Sequence, residues 1–131
     1  MTKVHNLTKS QIDEDFIKKI SRKVLKGEGK EENISLVFIG SERMRELNER
    51  YRGKNRVTDV LTCGEDLKEI VICLSEVKKN ARRFKSSFNK ELALVLVHGI
   101  LHLLGYDHEK SEKKAEKMRE KEKYYLKLLN C

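Results

Sequence analysis

The chain has 131 residues, and its 29 lysines and arginines against 21 aspartates and glutamates give a formal net charge of +8. This length predicts one domain spanning residues 1–131, and the charge favours a polyanionic partner. No apolar run approaches the roughly 18 residues that a membrane span needs, and no signal-peptide segment is recognisable, so we expect a cytoplasmic protein. Three widely spaced cysteines argue against a disulfide framework.

The first forty residues predict a strand, a helix and a second strand. The first strand is expected over residues 3–6. Ser10 then begins a helix, with Asp13 completing a variant of the capping box and apolar residues recurring every four positions until Gly27. Residues 34–39 are rich in β-branched side chains, which is typical of a strand.

The next helix is predicted to begin at Ser41 and to end at Gly53, with a buried stripe of Met44, Leu47 and Tyr51. Arginine binds phosphate through two parallel hydrogen bonds and stays charged at any working pH. This helix and the residues after it hold the densest stretch of arginine in the sequence, with one lysine among them: Arg43, Arg45, Arg50, Arg52, Lys54 and Arg56. Contact with phosphate is therefore expected here, although an arginine at a helix end can also neutralise the terminal carbonyls.

Two further strands are predicted over residues 57–63 and 70–74, joined by a turn at residues 64–66. Asp59 enters the first of these strands. Its carboxylate either accepts a hydrogen bond from a metal-bound histidine or a basic neighbour, or caps a turn.

Three helices complete the predicted elements. Ser75 begins the first, and its inward side chains are Val77, Ala81 and Phe84. The lysines and arginines on its other side serve either RNA binding or solubility. Asn89 is predicted to cap the second helix, and the third covers residues 111–129, where interleaved Glu and Lys indicate a surface helix with salt bridges.

Residues 91–108 form the most apolar stretch and hold three of the four histidines. A helix here would be apolar on nearly every face, so it belongs in the middle of the domain. His98 and His102 are separated by about 40° of rotation and about 6 Å of rise, so one metal ion can reach both. The alternative is a pair of core histidines satisfied by hydrogen bonds.

His108 joins this pair only if the chain turns after His102. In a continuous helix it would lie about 15 Å along the axis from His98, too far for Zn–N bonds of roughly 2 Å. Gly105 stands where a left-handed cap would end the helix, so we expect the next residues to fold back. Three imidazoles around one Zn²⁺ ion with a fourth position open are typical of catalytic zinc, because a water can bind there.

The same histidine spacing occurs in the zinc motif of the metzincin peptidases, H-E-x-x-H-x-x-G-x-x-H. Those enzymes use the glutamate after the first histidine as general base, whereas this chain has Gly99 there. Glycine cannot move a proton, so peptide hydrolysis by that route is not expected.

The stretch from His98 to His108, which reads HGILHLLGYDH, resembles the signature of the YbeY family, bacterial metal-dependent endoribonucleases that act in ribosomal RNA maturation. Residues 47–52 (LNERYR) and 58–61 (TDVL) also resemble that family in order and spacing. The chain departs from the family pattern at three places: Val57 replaces a proline, Thr62-Cys63 replaces Ser-Phe, and Lys68-Glu69 replaces Gly-Asp. Glu69 is the candidate substitute for that aspartate.

The predicted elements give an α+β fold, with about four strands in one sheet, helices packed against it and a zincin-like metal helix at the centre. The resemblance implies a parallel or mixed sheet with the metal in a cleft between helices and sheet. It also implies that Arg52 matches the functionally important arginine of the family, which would hold the scissile phosphate and stabilise charge in the transition state.

The function predicted from these observations is a zinc-dependent, single-strand-specific endoribonuclease, with His98, His102 and His108 as ligands of one Zn²⁺ and Asp107 as a candidate general base. The resemblance alone implies that the RNA is ribosomal, that the context is small-subunit maturation and ribosome quality control, and that small-subunit proteins are partners. Neither a membrane nor DNA is expected as a partner.

Two other functions stay open at this point. A metallopeptidase accounts for the histidine spacing but not for Gly99 or the positive charge. A non-catalytic ribosome assembly factor stabilised by zinc would need a fourth protein ligand, for which Asp107 and Cys63 are the candidates.

Overall fold

The computed structural model describes residues 2–63, 68–106 and 111–129. Nine elements lie in these ranges: β1 (Thr2–Asn6), α1 (Glu14–Gly27), β2 (Ile34–Ile39), α2 (Ser41–Arg52), β3 (Val60–Cys63), β4 (Glu69–Cys73), α3 (Leu74–Arg83), α4 (Phe88–Leu103) and α5 (Glu112–Leu128). The predicted α+β class with a four-stranded sheet is confirmed. No helix within these ranges is both long and apolar enough to cross a membrane.

The sheet is mixed and has the strand order β1-β2-β4-β3. β1, β2 and β4 run parallel, whereas β3 pairs antiparallel with β4, with Val60 opposite Ile72 and Cys63 opposite Glu69. β4 lies inside the sheet, and its buried run from Ile70 to Cys73 is typical of a strand covered on both faces. β3 is an edge strand, so the chain that leads into it lies at the sheet's edge.

The two faces of the sheet bury separate apolar clusters. Successive side chains of a strand point to opposite faces. Ile70 and Ile72 pack in the cluster built with α1, α3, α4 and α5, whereas Val71 and Cys73 pack in the cluster that contains Met44 of α2. α2 therefore covers one face, and α4 with its neighbouring helices covers the other.

α4 is the central helix, as predicted. It packs against α1, α3, α5, β3 and β4. Its buried residues lie on every side except the face of Leu94, His98 and His102: Glu91, Leu92, Ala93, Val95, Leu96, Val97, Gly99, Ile100 and Leu101. The prediction that Asn89 caps this helix is wrong. The cap is Ser87, whose Oγ accepts a hydrogen bond from the Lys90 amide at 3.1 Å, so Asn89 already lies in the first turn.

The start of α1 also differs from the prediction. Asp13, rather than Ser10, is the capping residue, and its Oδ1 accepts a hydrogen bond from the Phe16 amide at 3.1 Å. Ser10 belongs to the preceding turn, where its carbonyl accepts a hydrogen bond from the Asn6 amide group at 2.7 Å. The turn holds Ser10 away from the helix axis, so the helix begins three residues later.

Two aromatic residues that were predicted to face inward are exposed: Tyr51 at 58% and Phe84 at 62%. In α2 the buried position near the helix end is taken by Asn48, whose side-chain amide donates to the Arg56 carbonyl at 3.0 Å and so holds the following loop. Phe84 lies just after α3 ends, where the guanidinium of Arg83 lies 5.5 Å from its ring centre.

Gly99 marks the closest approach of α4 to the sheet. A Cβ atom at this position would lie 3.0 Å from Cγ2 of Ile70 and 3.2 Å from Cγ2 of Val60. Both neighbours are β-branched residues within the sheet, so they have little room to move. The absence of a side chain at Gly99 therefore allows the histidine-bearing helix to lie directly on β3 and β4.

We expect Gly99→Ala to lower the free energy of unfolding by about 1–2 kcal/mol, because overpacking at the sheet outweighs the higher helix propensity of alanine. Urea denaturation followed by circular dichroism measures this change. Gly40→Ala is the matched control, because a Cβ at Gly40 would meet no atom within 4 Å. Equal effects of the two substitutions would contradict the close packing at Gly99.

Candidate functional site

His98 lies on α4 with 31% of its side chain exposed, and its Nδ1 lies 3.0 Å from Oε1 of Glu122 on α5. A carboxylate oxygen can only accept a hydrogen bond, so Nδ1 carries the proton and the lone pair of the neutral ring is on Nε2. The hydrogen bond that His98 donates to Glu122 raises the pKa of His98, burial opposes this, and the negative charges of Glu122 and Asp59 add to the rise.

His102 lies one helical turn later and adopts the same tautomer. Its Nδ1 lies 3.2 Å from the backbone oxygen of Tyr106, which can only accept. Histidines that bind metals through Nε2 typically donate Nδ1–H to a carboxylate or a backbone carbonyl, and this contact orients the ring. The two imidazoles of α4 therefore fit the donor chemistry of a divalent metal.

The predicted turn after α4 is confirmed. Gly105 has a φ of 110°, and its amide donates to the His102 carbonyl at 3.0 Å. The Tyr106 amide donates to the Leu101 carbonyl at 3.1 Å, so the chain turns back across the helix end. Asp107 and His108 lie outside the described residues, so their predicted roles as general base and third ligand stay predictions.

Within residues 2–63, 68–106 and 111–129, no three His, Cys, Asp or Glu side chains gather as a group that could hold a metal. The described structure thus contains the pair His98 and His102 but does not include the segment that would carry the third imidazole. Cys63, one of the candidates for a fourth ligand, has a backbone in β3, but its side chain is not among those described.

A cleft of about 270 Å³ lies beside His98. Glu122, Asp59, Asn80 and Phe84 are among its lining residues, and the Asn80 side-chain amide donates to Oδ2 of Asp59 at 3.5 Å. Asp59 was predicted either to support a histidine or to cap a turn. It contributes negative charge near His98 while its carboxylate accepts from Asn80.

Arg52 is not among the described residues that line this cleft. It is the exposed last residue of α2, and α2 covers the sheet face opposite α4. Of the cleft-lining residues in the described part of the chain, none belongs to α2. Its role on the scissile phosphate stays a prediction.

The structure shows the backbone at Lys68-Glu69, where the chain departs from the Gly-Asp of the family pattern. Lys68 has a φ of 47°, in the left-handed region that favours the glycine of the family pattern, and its Nζ lies 2.8 Å from Oε1 of Glu32. Glu69 pairs with Cys63, three residues and about 10 Å along β3 from Val60. Glu69 therefore lies at the far end of the strand pair from Asp59, and Glu122 supplies the carboxylate that contacts His98.

Glu122 is the site residue that the sequence analysis missed, because α5 was interpreted as a surface helix. A signal for it exists in the sequence. Ala115, Met118 and Tyr125 are the buried residues of α5, and Glu122 lies four residues after Met118 and three before Tyr125. It is thus a charged residue in the middle of an apolar stripe, where it requires a partner.

A second carboxylate, Glu28, lies at the end of α1 with only 8% of its side chain exposed. The Tyr106 hydroxyl donates to its Oε1 at 2.6 Å, the Tyr125 hydroxyl donates to Oε2, and Nζ of Lys121 lies 3.3 Å from Oε2. Burial alone would raise the pKa of Glu28, but these three donors outweigh it and hold the pKa below 4.5. Burial and the Glu28 contact raise the pKa of Tyr106 to about 12.

We expect Glu28→Gln to cost on the order of 1–3 kcal/mol of unfolding free energy at pH 7. Because the pKa of Glu28 is lowered in the folded state, its contribution is present above pH 4.5 and is lost as the pH falls through the lowered value. The difference between wild type and variant should therefore shrink between pH 5 and pH 3, as measured by urea unfolding.

The control for this measurement is Glu31→Gln, which removes the same charge from an exposed position three residues later. It should change the unfolding free energy by less than about 0.5 kcal/mol. A stability difference for Glu28→Gln that persists unchanged at pH 3 would contradict a buried carboxylate held by donors.

Comparison with known proteins identifies close relatives along nearly the whole chain. The sequence profile of a family described as endoribonuclease YbeY matches residues 3–130. The endoribonuclease YbeY of Thermosipho melanesiensis is 39% identical over 127 residues, which cover 93% of this chain and 92% of the relative. That of Chlorobium phaeovibrioides is 40% identical, with 98% of this chain and 90% of the relative covered.

A solution structure of a protein from Thermotoga maritima has the same fold. Its TM-score is 0.73 at 35% sequence identity, covering 98% of this chain and 89% of that protein. Together with the sequence relatives, this match confirms the resemblance predicted from the histidine motif and from residues 47–61. It also confirms the enzyme class, since these relatives are named as endoribonucleases.

Proposed function

Because the chain belongs to the endoribonuclease YbeY family, we propose that it cleaves single-stranded RNA in a zinc-dependent reaction. The observation that carries this proposal is the pair of imidazoles on α4, each with Nδ1 within hydrogen-bond distance of an acceptor, so that the neutral ring has its lone pair on Nε2. This is the protonation state in which neutral histidines bind a divalent metal.

His98, His102 and, from the sequence pattern, His108 would hold one Zn²⁺ ion. When bound, such an ion supplies Lewis-acid chemistry for cleavage of a phosphodiester bond. Glu122 and the Tyr106 carbonyl orient the two imidazoles of α4 before the ion arrives, so less conformational freedom is lost on binding. Asp107, next to His108, is the proposed general base.

The excess of positive over negative side chains supports a nucleic-acid substrate. A net charge of +8 attracts a polyanion and accelerates its encounter with the protein. We assign Arg52 to the scissile phosphate, where a planar guanidinium can stabilise developing negative charge. Arg52 is exposed at the end of α2, which is the position expected of a residue that contacts a substrate from solution.

The proposed RNA substrate, cellular process and partners follow from the family resemblance. We propose that the substrate is ribosomal RNA, that the reaction belongs to small-subunit RNA processing and ribosome quality control, and that small-subunit proteins are partners. A ribosomal substrate also implies a cytoplasmic location. The name shared by the relatives supports RNA as the substrate.

The packing at Gly99 gives no support to a peptidase function. In the peptidase motif this position carries the general base. Here the position faces Ile70 and Val60 at contact distance, so a side chain placed there would enter the sheet interface. The nuclease proposal, unlike a peptidase, needs no side chain at this position.

We expect the purified protein to cleave labelled single-stranded RNA and to leave casein intact. Chelation of the metal or His98→Ala should abolish cleavage, and Arg52→Ala should lower its rate by about 10²–10³-fold, as loss of a charge-stabilising group does in other enzymes. Gel analysis of timed digests measures these rates, and elemental analysis identifies the bound metal.

The control for the arginine is Arg50→Ala, which removes a neighbouring exposed guanidinium from the same helix. It should lower the cleavage rate much less than Arg52→Ala does. Casein cleavage would favour a peptidase, and absence of both activities in metal-loaded wild type would leave a non-catalytic factor.

We further expect Glu122→Gln to weaken zinc binding by about 10- to 100-fold, because the charged acceptor that orients His98 is lost. Competition with a chromophoric chelator measures the dissociation constant. Glu120→Gln, at an exposed position on the same helix, removes the same charge and should leave the constant nearly unchanged. Equal affinities of the two variants would exclude a role for Glu122 in orienting the ligand.

A further inference from the structure

The carboxylate of Glu28 joins three separate segments of the chain near the candidate metal site. It accepts hydrogen bonds from Tyr106, just after α4, and from Tyr125 on α5, and it pairs with Lys121 on α5. Both of its oxygens are used. Burial of a charged carboxylate is costly unless hydrogen bonds compensate it, and here donors from two segments do so.

This network reaches a proposed metal ligand through a single residue. The Tyr106 hydroxyl donates to Glu28 at 2.6 Å, and the carbonyl oxygen of the same residue accepts from Nδ1 of His102 at 3.2 Å. Gly105, with a φ of 110°, turns the chain here, and the Tyr106 amide donates to the Leu101 carbonyl at 3.1 Å. The contact with Glu28 fixes the side-chain end of Tyr106 and the amide contact fixes its backbone nitrogen, so both restrain the carbonyl that faces the imidazole.

The second contact of Glu28, with Tyr125 of α5, is also closely packed. A Cβ atom on Gly27 would lie 2.6 Å from Cε1 of Tyr125, so the phenol ring lies directly against the end of α1. Tyr125 stands three residues after Glu122, which places both on one side of α5. Glu28 thus anchors the same helix whose Glu122 contacts His98.

We propose that Glu28 is a positioning residue for the metal site, acting on His102 through Tyr106 and on His98 through the anchoring of α5. This inference rests on the proposed function in that it assumes His102 to be a ligand. Glu28 itself contacts neither histidine in the described contacts; its effect is to restrict the directions in which the two imidazoles point. A restricted site loses less entropy when an ion binds, so it binds more tightly.

The test compares Glu28→Gln, Tyr106→Phe and their double variant. Tyr106→Phe removes one hydroxyl and keeps both the ring and the carbonyl that faces His102, so folding should persist, as circular dichroism will verify. Matched controls are Glu31→Gln, which removes an exposed charge near Glu28, and Tyr124→Phe, which removes an exposed hydroxyl next to Tyr125.

The first readout uses the metal-free protein. Long-range ¹H–¹⁵N NMR spectra at pH 8 report the tautomer of each histidine, and wild-type His102 should carry its proton on Nδ1. Both single variants should shift His102 towards a mixture of tautomers, and neither control should do so. A role confined to stability would lower the melting temperature and leave the tautomer unchanged.

The second readout is the zinc dissociation constant by chelator competition. Each single variant should raise the dissociation constant by about tenfold. The double variant should bind zinc as tightly as the weaker-binding single variant, because both substitutions break the same chain of contacts. Additive effects, or an equal effect in Glu31→Gln, would overturn the proposal, as would variants with unchanged affinity and unchanged tautomer.

The two readouts separate this inference from the proposed function. If wild type binds no zinc, the metal-dependent function fails, and the His102 tautomer alone then decides whether Glu28 positions the ring. If wild type binds zinc and cleaves RNA while the variants match it in both readouts, the function stands and the positioning role is rejected.

Discussion

Two imidazoles must be accommodated on a helix that is buried on nearly all sides, and the hydrogen bonds on their Nδ1 atoms make this possible. Without acceptors, the partly buried Nδ1 atoms of His98 and His102 would lack hydrogen-bond partners, which costs free energy. Glu122 and the Tyr106 carbonyl satisfy them from outside α4. The same contacts favour one tautomer for both rings, with Nε2 as the lone-pair atom. The hydrogen bonds that stabilise the fold are therefore also those that orient the imidazoles for the proposed metal.

The rest of the structure can be understood as support for these contacts. Gly99 lets α4 lie against β3 and β4, which defines the depth of the histidines in the domain. α5 packs against the other side of α4, and Tyr125 of α5 donates to Glu28. Glu28 also accepts from Tyr106, which lies in the turn after Gly105. Packing of the core and orientation of the site therefore involve the same few side chains, and a substitution in one affects the other.

Much of this arrangement could be predicted from local patterns. The β2 strand, the central position of α4 and the bend at Gly105 each depend on a run of similar residues or a single glycine. Errors arose where a local pattern allowed two solutions: Ser87 and Asn89 are both good helix caps, and only tertiary packing selects between them. Glu122 was missed because its partner lies 24 residues away, and helical periodicity does not identify such a partner.

The arginines of α2 and the histidines of α4 lie on helices that cover opposite faces of one sheet. A ligand that contacts both helices has to pass around the sheet, so its path is curved. Duplex nucleic acid resists such curvature, since it behaves as a stiff rod over distances far longer than this protein. An unpaired strand can bend at each nucleotide, so the shape of the molecule would itself discriminate between paired and unpaired RNA.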